Sequence, residues 1–260
     1  MTTLDAIILG IVQGITEFLP VSSSGHLHLF AYLLRIDRYG HNMLFDLTCH
    51  LGTLLATCTF FFRPIKEVFQ QNRTRLYQLV LAILPLFPLL MIIKPIKAVY
   101  ADPQYLGVFF LLTSAILFAG DFFAREKPAE MAVRHRWRDA LMIGCCQAAA
   151  VFPGISRSGS TISGARVLGW NTNDALTFSF LLSIPTILGG VVLELSEGYR
   201  NSERIMQLPV EYYFIGFFIS FIIGLCSLKF LLFIVSRYRF SCFAWYCLFL
   251  GIATTYYFYI

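Results

Sequence analysis

The sequence predicts an all-α polytopic membrane protein, with six transmembrane helices plus two re-entrant helical hairpins in two inverted-topology repeats. Three observations predict it. Of the 260 residues, 57% are hydrophobic and 13% charged, with a mean hydropathy of +0.69, whereas soluble domains carry about 25% charged residues. Twenty basic and fifteen acidic side chains are too few to cover the surface of a soluble chain this long, and the same hydrophobicity excludes disorder. Second, six stretches reach the roughly 20 apolar residues that a bilayer crossing takes. Third, two further apolar regions are interrupted by polar residues in one shared pattern.

The N-terminus, Met1-Thr2-Thr3-Leu4-Asp5, has neither a basic n-region nor a small-residue cleavage site, so the first apolar segment is expected to stay in the mature protein. The crossings are expected at Met43–Phe62, Tyr77–Ile93, Gln104–Gly120, Ala175–Leu193, Tyr212–Val235 and Phe240–Ile260. Residues 4–34 are cut by Glu17, Pro20, a serine run and two histidines, and residues 140–170 by Pro153, Arg157, Arg166 and five glycines. Each reads as a helix, a Gly/Pro/Ser turn and a second short helix. Irregular backbone at membrane depth needs protein or a wet cavity around it, which makes both regions re-entrant hairpins.

The two regions also match each other. Gly10-Ile11-Val12-Gln13 pairs with Gly144-Cys145-Cys146-Gln147 at an offset of 134, as Ser24-Gly25 does with Ser158-Gly159, while Phe18-Leu19-Pro20 pairs with Val151-Phe152-Pro153 at 133. The chain is therefore read as a single integral membrane domain, 1–260, with repeat 1 at about 1–125 and repeat 2 at about 135–260. Loops 63–75 and 121–139 and the last turn carry eleven basic residues, against six (Arg35, Arg38, Lys94, Lys97, Arg200, Arg204) on the other side. The positive-inside rule puts the eleven in the cytoplasm. Three crossings then separate the two hairpins, which inverts the repeats and is a known way to build a midplane site. The net charge of +5 is spread over loops, which argues against nucleic acid. All seven cysteines lie in apolar stretches without ligand spacing and read as small hydrophobes.

The chemistry is concentrated at the hairpin tips. Gln13 and Glu17 are four apart and share a helix face. A carboxylate at this depth costs on the order of 3 kcal/mol and needs a partner or water; it is a candidate base or divalent-cation ligand, or a structural hydrogen-bonder. Ser22-Ser23-Ser24-Gly25-His26 offers hydroxyls and an imidazole, the pairing that activates a nucleophile, although a turn with a helix N-cap explains the same residues. In Pro153-Gly154-Ile155-Ser156-Arg157-Ser158-Gly159-Ser160-Thr161, Arg157 is a charged fork suited to phosphate, flanked by hydroxyls. An Arg157–Glu17 ion pair locking the hairpins together is the competing role. Asp46 and His50, at i,i+4, either reach the site or satisfy each other.

EFLPVSSSGH at 17–26 and PGISRSGST at 153–161, on this hydropathy profile, resemble the undecaprenyl-diphosphatase family of bacterial inner membranes, also called bacitracin-resistance proteins. The resemblance covers nearly the whole chain. It implies hydrolysis of undecaprenyl diphosphate to undecaprenyl phosphate and inorganic phosphate, recycling the lipid carrier of peptidoglycan synthesis, at a site open to the periplasm. Carried over by motif, Glu17, Ser23, His26 and Arg157 are catalytic, and Gln13, Ser22, Ser156, Ser158 and Thr161 bind substrate. A divalent cation, Mg²⁺ or Ca²⁺, would be held at Glu17. Many members have glutamate where this chain has Gln13, and an amide cannot serve as a charged ligand. The implied partners are a polyprenyl diphosphate and membrane lipids, with a homodimer allowed. Ser23 or a water activated by Glu17 would attack, and His26 would assist that transfer or protonate the leaving group. A lipid-phosphate flippase using the same Arg157 is the alternative. The type 2 phosphatidic acid phosphatase pattern fails, because His135 follows Arg134 where proline is needed.

Overall fold

The computed structural model describes residues 1–36, 43–92, 103–124, 137–152, 154–200, 208–237 and 239–259. Arg38, Ile93, Lys94, Lys97, Arg125, Lys127, Arg134, Arg136, Pro153, Arg204 and Ile260, which the sequence reading used, lie outside them. The described residues form helices and turns with no strand. In chain order the α-helices are α1 Thr3–Thr16, α2 Ser23–Leu33, α3 Met43–Phe60, α4 Phe62–Gln70, α5 Arg73–Ile83, α6 Gln104–Phe122, α7 Trp137–Ala149, α8 Arg157–Val167, α9 Thr172–Arg200, α10 Val210–Arg237 and α11 Ser241–Tyr259.

By length and apolarity α6, α10, α11 and residues Thr172–Ser196 of α9 can cross a membrane. The pair α3, from Leu44, and α4 is long and apolar enough only when the two are taken together, and it is bent by 71°. The bend has a local cause: a proline ring clashes with the carbonyl four residues before it, so Pro64 forbids α3 from continuing past Phe60. The stretch expected to cross at Tyr77–Ile93 is not one α-helix. It is α5 followed by a 3-10 segment, Leu84–Ile92. Leu84 N–H already bonds Leu81 O, and Pro85 and Pro88 have no N–H with which to resume the i→i−4 ladder.

The two hairpins follow one plan. α1 and α7 start at Thr3 and Trp137, and α2 and α8 span 23–33 and 157–167, an offset of 134 throughout. Both short helices are N-capped by serine, Ser22 to Gly25 N and Ser156 to Gly159 N. Both end alike, with Ile36 N–H bonding Ala31 O and Trp170 N–H bonding Ala165 O. At 14 and 13 residues, α1 and α7 are too short to span a bilayer. Each hairpin packs on the other half of the chain, α1 on α10 and α7 on α5.

Glycines set the closest approaches. α3 lies on α10 where a Cβ at Gly52 would overlap Ser220 Oγ and Phe217 O, and α6 lies on α11 where one at Gly107 would overlap Thr255. Small residues let backbones meet where lipid supplies no hydrophobic drive. Outside, Phe214, Phe218, Ile222, Phe230, Trp245, Phe249 and Ile252 are exposed, a surface that water would not tolerate and a lipid bilayer does. Gly52→Leu is therefore expected to destabilise the detergent-solubilised protein by ~2–3 kcal/mol through overpacking, checked by thermal unfolding. Leu112→Ala on the exposed face of α6 is expected to change it by under about 0.5 kcal/mol.

Candidate active site

Glu17 arises from the end of α1. Its N–H bonds Gln13 O at 3.0 Å, closing the last helical turn, and the chain then reverses through Ser22. Ser22 has φ 71° and ψ 96°, a left-handed conformation that costs a non-glycine residue about 1–3 kcal/mol. It is held there from both sides: Ser22 Oγ accepts from Gly25 N at 3.3 Å, and His26 Nδ1 donates to Ser22 O at 2.7 Å. The second hairpin turns at Gly154, φ +86°. Thr113 of α6 fixes that turn by donating to Gly154 O at 2.7 Å and accepting from Ser156 N at 3.0 Å. The two tips touch, since a Cβ on Gly25 would stand 3.1 Å from Gly154 Cα.

This contact brings opposite charges together. Arg157 Nη2 donates to Glu17 Oε1 at 2.6 Å. Glu17 Oε2 accepts from Ser23 Oγ at 2.7 Å and from Gln13 Nε2 at 3.0 Å, and His50 Nδ1 lies 3.5 Å away. Gln13 Nε2 is also 2.8 Å from His50 Nδ1. Glu17 is only 6% exposed, so an unpaired charge there would be costly. The ion pair and three polar neighbours hold a carboxylate inside an apolar bundle.

A cavity of about 840 Å³ opens beside the pair, within the usual size of ligand sites. Its lining includes the polar residues Glu17, Ser22, Ser23, Ser24, Ser156, Arg157 and Ser158 and the apolar residues Leu27, Leu47, Leu86, Leu106, Ile187 and Val191. Six of the nine residues singled out in the sequence thus line this cavity. Gln13, His26 and Thr161 do not. Gln13 lies behind Glu17. Thr161 Oγ1 is 2.6 Å from Ser179 Oγ and 2.9 Å from Arg157 O, propping the start of α8. His26 is buried with Nε2 2.8 Å from Tyr246 OH and its ring edge-on to Phe110. Both ring nitrogens are engaged away from Ser23.

Sequence reasoning left Asp46 and His50 undecided; both line the cavity, as do Gln147, Thr186 and Glu194, which it did not select. The match of Gln147 to Gln13 was the signal available for the first of these. Thr113 and Tyr246 gave no signal, because a single hydroxyl on an apolar helix has no pattern. Among the described residues no three His, Cys, Asp or Glu side chains form a metal cage. Gln13 Oε1 is buried without a partner among them, next to the Glu17 carboxylate. Hard oxygens of this kind fit a cation that takes its other ligands from phosphate and water, as Mg²⁺ commonly does.

Residues 6–253, which include Glu17 and Arg157, match the family of the bacitracin resistance protein BacA. The chain belongs to the BacA family. It is 48% identical over 259 residues to an undecaprenyl-diphosphatase of Protochlamydia amoebophila, covering 99% of both chains. Identity is 37% to one of Thermosipho africanus, over 96% of this chain and 98% of the relative, and 36% to one of Korarchaeum cryptofilum, over 97% and 98%. In this BacA family member the pairing of Glu17 with Arg157 has a measurable signature. Arg157→Met, which strands a buried carboxylate, is expected to lower stability by ~3–5 kcal/mol. Combining it with Glu17→Gln is expected to restore part of that loss, so that thermal unfolding of the four proteins in a double-mutant cycle gives a coupling well above 1 kcal/mol.

Proposed function

We propose that the protein hydrolyses undecaprenyl diphosphate to undecaprenyl phosphate and inorganic phosphate. The observation that carries this reading is the contact of Ser23 Oγ with a carboxylate that is itself paired to Arg157, beside a cavity lined by both polar and apolar side chains. A diphosphate on a prenyl tail has the same two-part character. The relatives' names support the same activity, and no observation favours a flippase.

Phosphoryl transfer is governed by positioning and charge. Arg157 binds phosphate oxygens as a planar fork, with Ser156 and Ser158 as neighbouring donors. Ser23 passes its proton to Glu17 Oε2 and its oxygen attacks the terminal phosphorus; the bond to the bridging oxygen breaks and undecaprenyl phosphate departs. Water then attacks the phosphoserine, Glu17 returns the proton to Ser23 Oγ, and inorganic phosphate leaves. The leaving group, a phosphate with a second pKa of about 6, departs as an anion without an acid donor. His26 is accordingly a positioning residue that holds Ser22 and the start of α2. A divalent cation, Mg²⁺ or Ca²⁺, held through Glu17, Ser23 Oγ and Gln13 Oε1, would neutralise phosphate charge. The same reading places the chain in a bacterial inner membrane, as monomer or homodimer, with the cavity open to the periplasm, where recycling of the lipid carrier confers resistance to bacitracin.

Phosphate release from undecaprenyl diphosphate by the purified protein in detergent is the test. Ser23→Ala and Arg157→Ala are expected to lose at least about 100-fold in rate, on the scale of lost nucleophiles and charge donors, and chelator is expected to slow the wild type. Rapid quenching with labelled substrate should trap a phosphoenzyme that Ser23→Ala lacks. A Ser23→Ala protein with full turnover would sink the serine route, and absence of release from the wild type would sink the activity. Tyr246→Phe, which frees His26 Nε2, is expected to cost only a few-fold in kcat, about the worth of one hydrogen bond.

A further inference from the structure

Gln147 is the counterpart, 134 residues on, of Gln13. On the first hairpin Gln13 Nε2 donates to the carboxylate four positions later, Glu17 Oε2, at 3.0 Å. On the second, the acid's place is taken by Ala150 and Val151, whose side chains accept nothing. Gln147 Nε2 is buried without a partner among the described residues, in a side chain 1% exposed. Its other end touches Thr186, whose one hydroxyl proton is shared between Leu182 O at 2.8 Å and Gln147 Oε1 at 3.2 Å. Whichever way the amide is turned, at least one of its ends has no protein partner.

Native proteins rarely leave a buried amide donor unmatched, and such exceptions mark strain or a binding role. Gln147 is part of the cavity wall together with Ser156, Arg157, Ser158 and Thr186. The two hairpins thus carry the same amide with opposite surroundings: one has a carboxylate built in, and the other faces a cavity in which an anion would supply the missing acceptor. We propose that Gln147 is a substrate-binding residue whose amide N–H donates to a phosphate oxygen of the diphosphate head group. The assignment rests on the diphosphatase reading of this cavity. A neutral donor suits the task, because it adds a hydrogen bond without placing another charge in an apolar bundle.

The test uses the full-length protein in detergent with Gln147→Met, which keeps length and removes the amide, and Gln147→Glu, which keeps the shape and offers acceptors in place of donors. Gln147→Met is expected to melt at or above the wild-type temperature, because an unmatched donor is gone. Its KM for undecaprenyl diphosphate is expected to rise about tenfold with kcat within about threefold, as for one lost neutral hydrogen bond. Gln147→Glu is expected to raise KM further by repulsion. Methylenebisphosphonate, which cannot be hydrolysed, should raise the melting temperature of the wild type and not of Gln147→Met. A Gln147→Met protein with wild-type KM and wild-type bisphosphonate shift overturns the proposal. So does one that melts several degrees lower, since that marks a structural amide. If the wild type releases no phosphate, the diphosphatase reading fails, and the bisphosphonate shift still decides the anion-binding role: a shift lost in Gln147→Met upholds it, and no shift in the wild type overturns it.

Discussion

The pair between Glu17 and Arg157 is the constraint around which the rest is arranged. Its members are 140 residues apart and come from the two halves of the chain. Neither charge could be kept inside an apolar bundle alone, so the hairpins must meet to within hydrogen-bond distance. The glycines at 25 and 154, the left-handed Ser22 and the Thr113 bracket are what make that approach possible. In the proposed reaction a phosphate arriving at Arg157 would replace the carboxylate as its partner and leave Glu17 free to take a proton from Ser23. On that reading, structural lock and chemical base are the same group in two states of pairing.

Much of this was legible from rarity. With few charges in the chain, an acid and an arginine inside apolar stretches stand out, and Gly/Pro/Ser runs mark where helices must break. The matching motifs told which breaks belong together. What patterns could not give was direction. His26 stands three residues from Ser23, yet an imidazole on the first turn of α2 folds back to the Ser22 carbonyl and lies under the site, away from the cavity. The i,i+4 spacing of Asp46 and His50 left open whether they reach the site or satisfy each other; both line the cavity. The crossing at Tyr77–Ile93 was read by hydropathy, which does not register that Pro85 and Pro88 remove N–H donors.

Equivalence between the hairpins extends to the serine caps and the lengths and closing hydrogen bonds of α2 and α8, so the backbone is duplicated more faithfully than the side chains. Most side chains differ, and two of the differences fall at the tips. Ser23 on one side stands where Arg157 stands on the other, and His26 where Ser160 stands. A duplicated scaffold with asymmetric side chains thus places a hydroxyl and a guanidinium at the same location in each half.

The 3-10 segment has a geometric consequence of its own. Rise per residue is about 2.0 Å in a 3-10 helix and about 1.5 Å in an α-helix. Arg73–Ile92, eleven α residues followed by nine 3-10 residues, therefore reaches about 34 Å, where a uniform α-helix of twenty would reach about 30 Å, the thickness of a hydrocarbon core. Tighter winding lengthens the strut without lengthening the chain. Leu86, on this stretched part, lines the cavity.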